Sequence, residues 1–234
     1  MDIAPTTDAL VDLDVDLLVL PLTSSPGDPM IDTLASALGT SVRRAVEDFE
    51  GETGESVLVY PEATTAPRTV LVGLGDPADV DPEALRRGAA AGGSVASDRS
   101  AGALACMLPA VSLNDGIAAQ AIVEGLLLGG YRYRRYKTED ADGELASLLI
   151  RVGEDVDRSA VQDGIDTGQA LASATCTARD LVNTSPHDKT ARLFAETIQA
   201  SGTEHGYEVE TWDEERIREE EFGGLLAVNQ GSFE

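Results

Sequence analysis

The sequence predicts an α/β protein in which helices cover a mostly buried sheet that is parallel or mixed. Three observations lead to this prediction. Short apolar runs closed by turn residues recur along the chain. Segments of helical spacing lie between these runs, as in proteins built from a sheet and helical layers. The 234 residues are 42% apolar and 25% charged, which is typical of a globular chain with one large or two modest domains.

Five strands and three helices are predicted in the first 152 residues. The predicted strands span residues 15–20, 56–60, 69–74, 103–108 and 145–152. The predicted helices span residues 30–38, 81–96 and 115–128. The second helix has a clear start, because Asp81 can cap it, Pro82 lacks an N–H that would otherwise be unpaired, and Glu83 faces the positive end of the dipole.

A long helix without proline is predicted over residues 158–183 and would connect two domains. After it we expect a helix capped by Thr190, a strand over 207–211 and a helix over 213–221. The predicted organisation is a domain over 1–157, the connecting helix over 158–183, and a second α/β domain over 184–234. Because about 50 residues bury little apolar surface, we expect this second domain to be incomplete.

The charge balance is strongly acidic. The chain has 17 basic and 42 acidic residues, a net charge of -25, and only two of the basic residues are lysines. Repulsion of this size destabilises a fold at low ionic strength and is screened by salt, so we hypothesise a salt-adapted, halophilic cytosol. A nucleic acid is a disfavoured partner, because its phosphates would be repelled.

Neither a membrane span nor a secretory leader is predicted from the sequence. The most apolar run, residues 101–111, is much shorter than a bilayer crossing, and the first 16 residues are acidic rather than basic. We therefore expect a cytoplasmic protein. Cys106 and Cys176 lie far apart, without a neighbouring cysteine, and we interpret both as buried free thiols.

The familiar catalytic and cofactor motifs are missing from the sequence. The turn Gly73-Leu74-Gly75 begins like a dinucleotide fingerprint, but Pro77 and Ala78 break the pattern, so we interpret its glycines as requirements of the turn backbone. His187 and His205 lack further ligands at metal-binding spacing, and we interpret them as an exposed loop residue and a helix-end residue. No catalytic, cofactor-binding or metal-binding residue is therefore predicted.

The segment 131–137, YRYRRYK, interleaves four basic residues with three tyrosines. Such a mixture can bind single-stranded nucleic acid, but four acidic residues follow within residues 139–144 and balance the charge. We favour a local ion-pair network or a contact between subunits.

Three segments resemble the leucyl (cytosol) aminopeptidase family. They are EGLLLGGYRYRRYK at 124–137, ARDLVNTSPHDKT at 178–190 and GGLLAVNQGS at 223–232, in the order of the family. Ser185, His187, Tyr133 and Ala191 depart from the family's usual residues at their positions. None of these four positions belongs to the family's metal-binding or catalytic motifs, so the departures leave the resemblance intact.

The resemblance implies an N-terminal α/β domain similar to macro domains, a long connecting helix and a larger catalytic α/β domain, assembled as a hexamer. It implies the removal of N-terminal residues from peptides, with two divalent metal ions, Mn or Zn, that activate water and polarise the scissile carbonyl. The family's metal and catalytic motifs are missing from these 234 residues, so we carry over no site residue and expect the chain alone to be inactive. The alternative is a non-catalytic macro-like binding or assembly domain.

The acidic composition predicts that salt stabilises the fold. We expect the melting temperature to rise as KCl is increased from 0.1 M to 2 M, because the Debye length falls from about 10 Å to below about 3 Å. Differential scanning calorimetry would measure the shift. A melting temperature that falls over this range would contradict the hypothesis.

Overall fold

The computed structural model describes residues 1–24, 29–138 and 145–231. Within it the chain forms two compact units, unit 1 (Met1–Ala178) and unit 2 (Arg179–Glu234). None of the described helices combines the length and the apolar character that a bilayer crossing would need.

Unit 1 contains a six-stranded sheet. Its strands are β1 (Asp2–Thr6), β2 (Leu17–Leu22), β3 (Ser56–Val59), β4 (Thr69–Gly73), β5 (Ala103–Met107) and β6 (Ser147–Arg151). The spatial order is β1-β6-β5-β2-β4-β3. Every neighbouring pair is parallel except β3 with β4, which is antiparallel. The sheet is therefore mostly parallel, and the predicted α/β class is confirmed.

All five predicted strands occur within two residues of their predicted ends, and one strand was missed. Strand β1 carries one buried apolar residue, Ile3, and its Pro5 has no N–H to donate to a neighbouring strand. It lies at the edge of the sheet and pairs only with β6, so it tolerates the proline. A continuous apolar run, which reveals the central strands, is not required at such an edge.

Helices cover both faces of the sheet. They are α1 (Pro29–Leu38), α2 (Thr40–Asp48), α3 (Pro82–Asp98), α4 (Asp115–Gly130) and α5 (Arg158–Asn183). One core joins Leu17, Val19 and their neighbours to α3, α4 and the first half of α5. A second core joins Leu18, Leu20 and their neighbours to α1 and α2. Alternate side chains of β2 thus point into opposite cores, which makes a three-layer α/β/α unit.

The helix ends follow the predicted chemistry, and one helix was missed. The Asp81 carboxylate accepts a hydrogen bond from the Ala84 N–H at 2.8 Å and caps α3, as expected.

Helix α2 was not predicted, since its sequence TSVRRAVED is mostly polar and has one buried residue, Val42. It begins after Gly39, whose φ of 106° is a conformation that favours glycine.

The helices on one face of the sheet are in backbone-to-backbone contact. A Cβ atom on Gly93 of α3 would lie 2.1 Å from the carbonyl oxygen of Leu126 in α4. A Cβ atom on Gly129 of α4 would lie 2.2 Å from the carbonyl oxygen of Ala90. These two helices can therefore approach each other closely only because each of them has a glycine where it meets the backbone of the other.

Unit 2 contains helices α6 (Ala191–His205), α7 (Glu214–Glu219) and α8 (Gly223–Asn229). The predicted helix after Thr190 is confirmed, although the Thr190 side chain makes no capping hydrogen bond. The predicted strand over residues 207–211 is wrong for this structure, since these residues have no regular secondary structure. The physical reason is that the described part of unit 2 supplies no partner strand to pair with this segment.

The contact between α3 and α4 predicts a strong effect of a single methyl group. We expect Gly93→Ala to lower the free energy of unfolding by about 1–3 kcal/mol, because the methyl group meets a rigid backbone carbonyl. The gain in helix propensity, about 1 kcal/mol, offsets only part of this.

Urea denaturation would measure the change. The matched control is Gly153→Ala, whose added Cβ would lie at an ordinary 3.6 Å from Val156. Equal stability of the two variants would contradict the role of the close contact.

Candidate functional site

The aromatic and basic segment after α4 is held by a local ion pair at Arg132. Its guanidinium donates to Asp98 at 2.8 Å and to the Ser94 hydroxyl at 3.2 Å, both on α3. The rings of Tyr133 and Tyr136 meet edge to face, with centroids 5.7 Å apart. Arg132 therefore forms a local ion pair with α3, while the four acidic residues over 139–144, on which the predicted ion-pair network depends, lie outside the described residues.

A small cavity of about 190 Å³ lies beside this segment, at the ends of α3 and α4. Its lining residues include Arg132 and Arg134 but no carboxylate, imidazole or thiol. The hydroxyl groups of Ser97 and Tyr131 are also in its lining, but no carboxylate or imidazole stands beside them there to act as their base.

A second buried polar contact joins α3 to α4. The Glu124 carboxylate is buried, accepts a hydrogen bond from the Gln120 amide at 2.7 Å, and pairs with the Arg86 guanidinium. Both carboxylate oxygens are engaged within unit 1, so Glu124 is satisfied as a structural group.

The glycine turn after β4 is filled by the protein's own backbone. Gly75 has a φ of 82°, so its backbone conformation explains the glycine, as predicted. Gly73 has a different reason, because a Cβ atom there would lie 1.9 Å from the carbonyl oxygen of Glu52. The Gly75 N–H donates to the carbonyl of Gly51 at 2.8 Å. The segment around residue 52 thus occupies the space at this turn, which leaves no phosphate cradle there.

The two cysteines differ in burial. Cys106 is fully buried in β5, as predicted, and burial raises the pKa of its thiol well above the ordinary value. Cys176 is only half-buried, so the prediction of a second buried thiol was wrong. The last part of α5, beyond Ala172, has no fully buried residue, and Cys176 lies there.

The two histidines occupy the places expected for them. His187 lies in a short exposed turn (Pro186–Asp188) that begins after Ser185. His205 is exposed and is the last residue of α6. Within residues 1–24, 29–138 and 145–231, no group of three or more His, Cys, Asp or Glu side chains is arranged to hold a metal ion.

A concave surface larger than this cavity lies in unit 2, and we call it the α6–α8 groove. It has a volume of about 730 Å³. Helix α6, residues 211–214, Ile217 and helix α8 form its walls. Ala195, Trp212 and Leu225 are among its apolar lining residues, and Arg192 and Glu196 are among its charged ones. No sequence pattern predicted this groove, because its walls come together only when three short helices pack.

Comparison with family profiles assigns both units. The profile of the cytosol aminopeptidase family, N-terminal domain, matches residues 24–140. The profile of the catalytic domain of the same family matches residues 176–234. The chain belongs to the cytosol aminopeptidase family. The resemblance that the three segments predicted is thus confirmed.

Relatives from bacteria match nearly all of this aminopeptidase-family chain. A protein of Chlorobium luteolum named "Probable cytosol aminopeptidase" is 34% identical over 255 residues, covering 100% of this chain and 49% of its own length. A protein of Micrococcus luteus with the same name is 34% identical over 241 residues, covering 97% of this chain and 46% of its own length. The chain therefore spans about half the length of the curated relatives it matches.

Solved structures share the fold. A mutant of tomato leucine aminopeptidase superimposes with a TM-score of 0.84 at 25% identity, covering 100% of this chain and 48% of the tomato chain. The bottromycin maturation enzyme BotP in complex with Mn gives a TM-score of 0.74 at 26% identity, covering 94% of this chain and 43% of that chain. Both the family assignment and the α/β class agree with these structures.

Proposed function

We propose that the chain is the N-terminal portion of a leucyl aminopeptidase that removes N-terminal amino acids from peptides. The observation that carries this proposal is the order of the two family matches, the N-terminal domain over 24–140 and the catalytic domain from 176 onward. In this proposal residues 1–157 form the macro-like N-terminal domain, 158–183 the connecting helix and 184–234 the start of the catalytic domain. The division of the structure after Ala178 supports this organisation.

The proposed enzyme uses two divalent metal ions, Mn or Zn, and the BotP structure in complex with Mn favours a metal of this kind. The residues described here do not fit that role, because they offer no cluster of metal-binding side chains. We therefore assign no metal-binding or catalytic residue to this chain and derive no reaction step from it. We propose that the metal ions are held by other parts of the catalytic domain that the relatives carry.

The alternative, a macro-like domain that binds a nucleotide on its own, has less support. The glycine turn at 73–75 is filled by the segment around Glu52, and the net charge of -25 opposes an anionic ligand. We further propose a homo-oligomer, a hexamer as in the resembled family, and a cytoplasmic location, with peptides rather than nucleic acids as substrates.

The proposal predicts that the 234-residue chain has no peptidase activity by itself. With leucyl p-nitroanilide and added Mn²⁺ or Zn²⁺, we expect a rate equal to the background without enzyme, because the described residues bring no metal ligands together. Absorbance of released nitroaniline measures the rate. The full-length Micrococcus luteus relative, assayed in the same buffers with KCl, is the positive control.

Saturable turnover by the purified chain that a chelator abolishes would contradict this proposal. It would show that the chain assembles a complete metal centre from its own side chains.

A further inference from the structure

The small cavity of unit 1, at the ends of α3 and α4, has an apolar floor. Leu104 of β5 and Leu126 of α4 line it and are almost completely buried, as are Ala96 and Ala101. The half-buried Leu127 continues this lining toward the surface. The cavity measures about 190 Å³. A small apolar group fits into such a space, because an engineered cavity of about 150 Å³ lined by Leu, Ile and Phe binds benzene.

Glycines leave this space unfilled. Gly93 of α3 and Gly130, the last residue of α4, both line the cavity and have no side chain to occupy it. A Cβ atom on Gly93 would lie 2.1 Å from the carbonyl oxygen of Leu126, so the contact between the two helices requires glycine there. Protein interiors contain few voids larger than a water molecule. The close packing of α3 on α4 thus leaves an unusual cavity at their ends.

The rim of the cavity is positively charged, although the protein is acidic. The chain has a net charge of -25, yet Arg132 and Arg134 line the cavity and no carboxylate does. Arg132 is engaged within unit 1, because it pairs with Asp98 and donates to the carbonyl oxygen of Gly129 at 3.2 Å. This second contact offsets the negative end of the α4 dipole. Arg134 is exposed and has no hydrogen-bond or ion-pair partner for its guanidinium among the described residues.

The chemistry of the lining selects among possible ligands. A metal ion would find no carboxylate, imidazole or thiol in the lining. A nucleotide is too large, since pockets for ligands of that size usually measure about 300–1,000 Å³. A short apolar chain that ends in a carboxylate matches both parts of the cavity. Its chain fits the apolar floor, and its carboxylate can accept charge-assisted hydrogen bonds from a guanidinium at the rim.

We propose that this cavity binds a small apolar carboxylate with a tail of about four to six carbons. The tail packs on Leu104 and Leu126, and the carboxylate pairs with the Arg134 guanidinium. All the lining residues belong to unit 1, so binding requires neither metal ions nor the catalytic domain. Because the ligand binds only the folded form, its occupancy stabilises unit 1.

Titration with isocaproate, a branched six-carbon carboxylate, tests this proposal. In the 234-residue chain with labelled leucine methyl groups, we expect the NMR signals of Leu104 and Leu126 to shift and to saturate. Isocaproamide has the same tail without the charge, and it should bind about fivefold more weakly because it loses the charge-assisted hydrogen bonds. Acetate has the charge without the tail and should leave both signals in place.

Arg134 provides the variant and Arg135 its matched control. We expect Arg134→Gln to bind isocaproate about fivefold more weakly than the wild type and isocaproamide equally well, because only the pairing with the carboxylate is lost. Arg135→Gln removes the same charge from the next residue, which is exposed and outside the lining, and should keep the wild-type affinity. Both side chains are exposed, so neither variant should change the circular dichroism of the chain.

Three results would overturn the proposal. The first is the absence of saturable shifts at Leu104 and Leu126, which would show that the cavity does not take up the tail. The second is equal affinity of the wild-type chain for isocaproate and isocaproamide. The third is an equal loss of isocaproate affinity in Arg134→Gln and Arg135→Gln, which would show that only the overall charge matters.

Discussion

The covering of a parallel sheet on both faces is the constraint on which this structure depends. A parallel sheet exposes apolar side chains on two sides, and each side requires a helical layer. In unit 1 the layer formed by α3, α4 and α5 comes close enough because glycines such as Gly93 and Gly129 let the backbones touch. Unit 1 therefore completes its own core and satisfies the buried Glu124 internally.

The described part of unit 2 has no strand and buries no large apolar side chain. Its three helices lie around the α6–α8 groove, and the segment between α6 and α7 has no regular secondary structure. The chain matches both domains of the family, and its described residues bring no cluster of metal-binding side chains together. In the proposed enzyme, unit 1 contains the three-layer N-terminal domain and unit 2 is the start of the catalytic domain.

The sequence predicted the central strands and the long helices because their stabilising contacts repeat along the chain. Continuous apolar runs identified β2, β4 and β5, and the cap at Asp81 identified the start of α3. Elements with a single buried residue were missed, namely β1 at the sheet edge and the mostly polar α2. The segment 207–211 shows the opposite error, since its local pattern favours a strand but pairing requires a partner.

The candidate site could be predicted only in part, for a related physical reason. The family motifs indicated the aminopeptidase resemblance because they are local, whereas the groove depends on how short helices meet. The half-burial of Cys176 was also beyond the sequence, since its helix has the same spacing before and after the point where burial ends. The difference in apolar burial between the two units likewise depends on tertiary packing, which composition alone does not show.

Native-state hydrogen exchange of the isolated 234-residue chain tests the central claim most directly. If unit 1 holds a complete core and unit 2 does not, the amides of β2, β4 and β5 will exchange at least about 1000-fold more slowly than those of α6 and α8. Protection of α6 and α8 equal to that of the central strands would contradict this account.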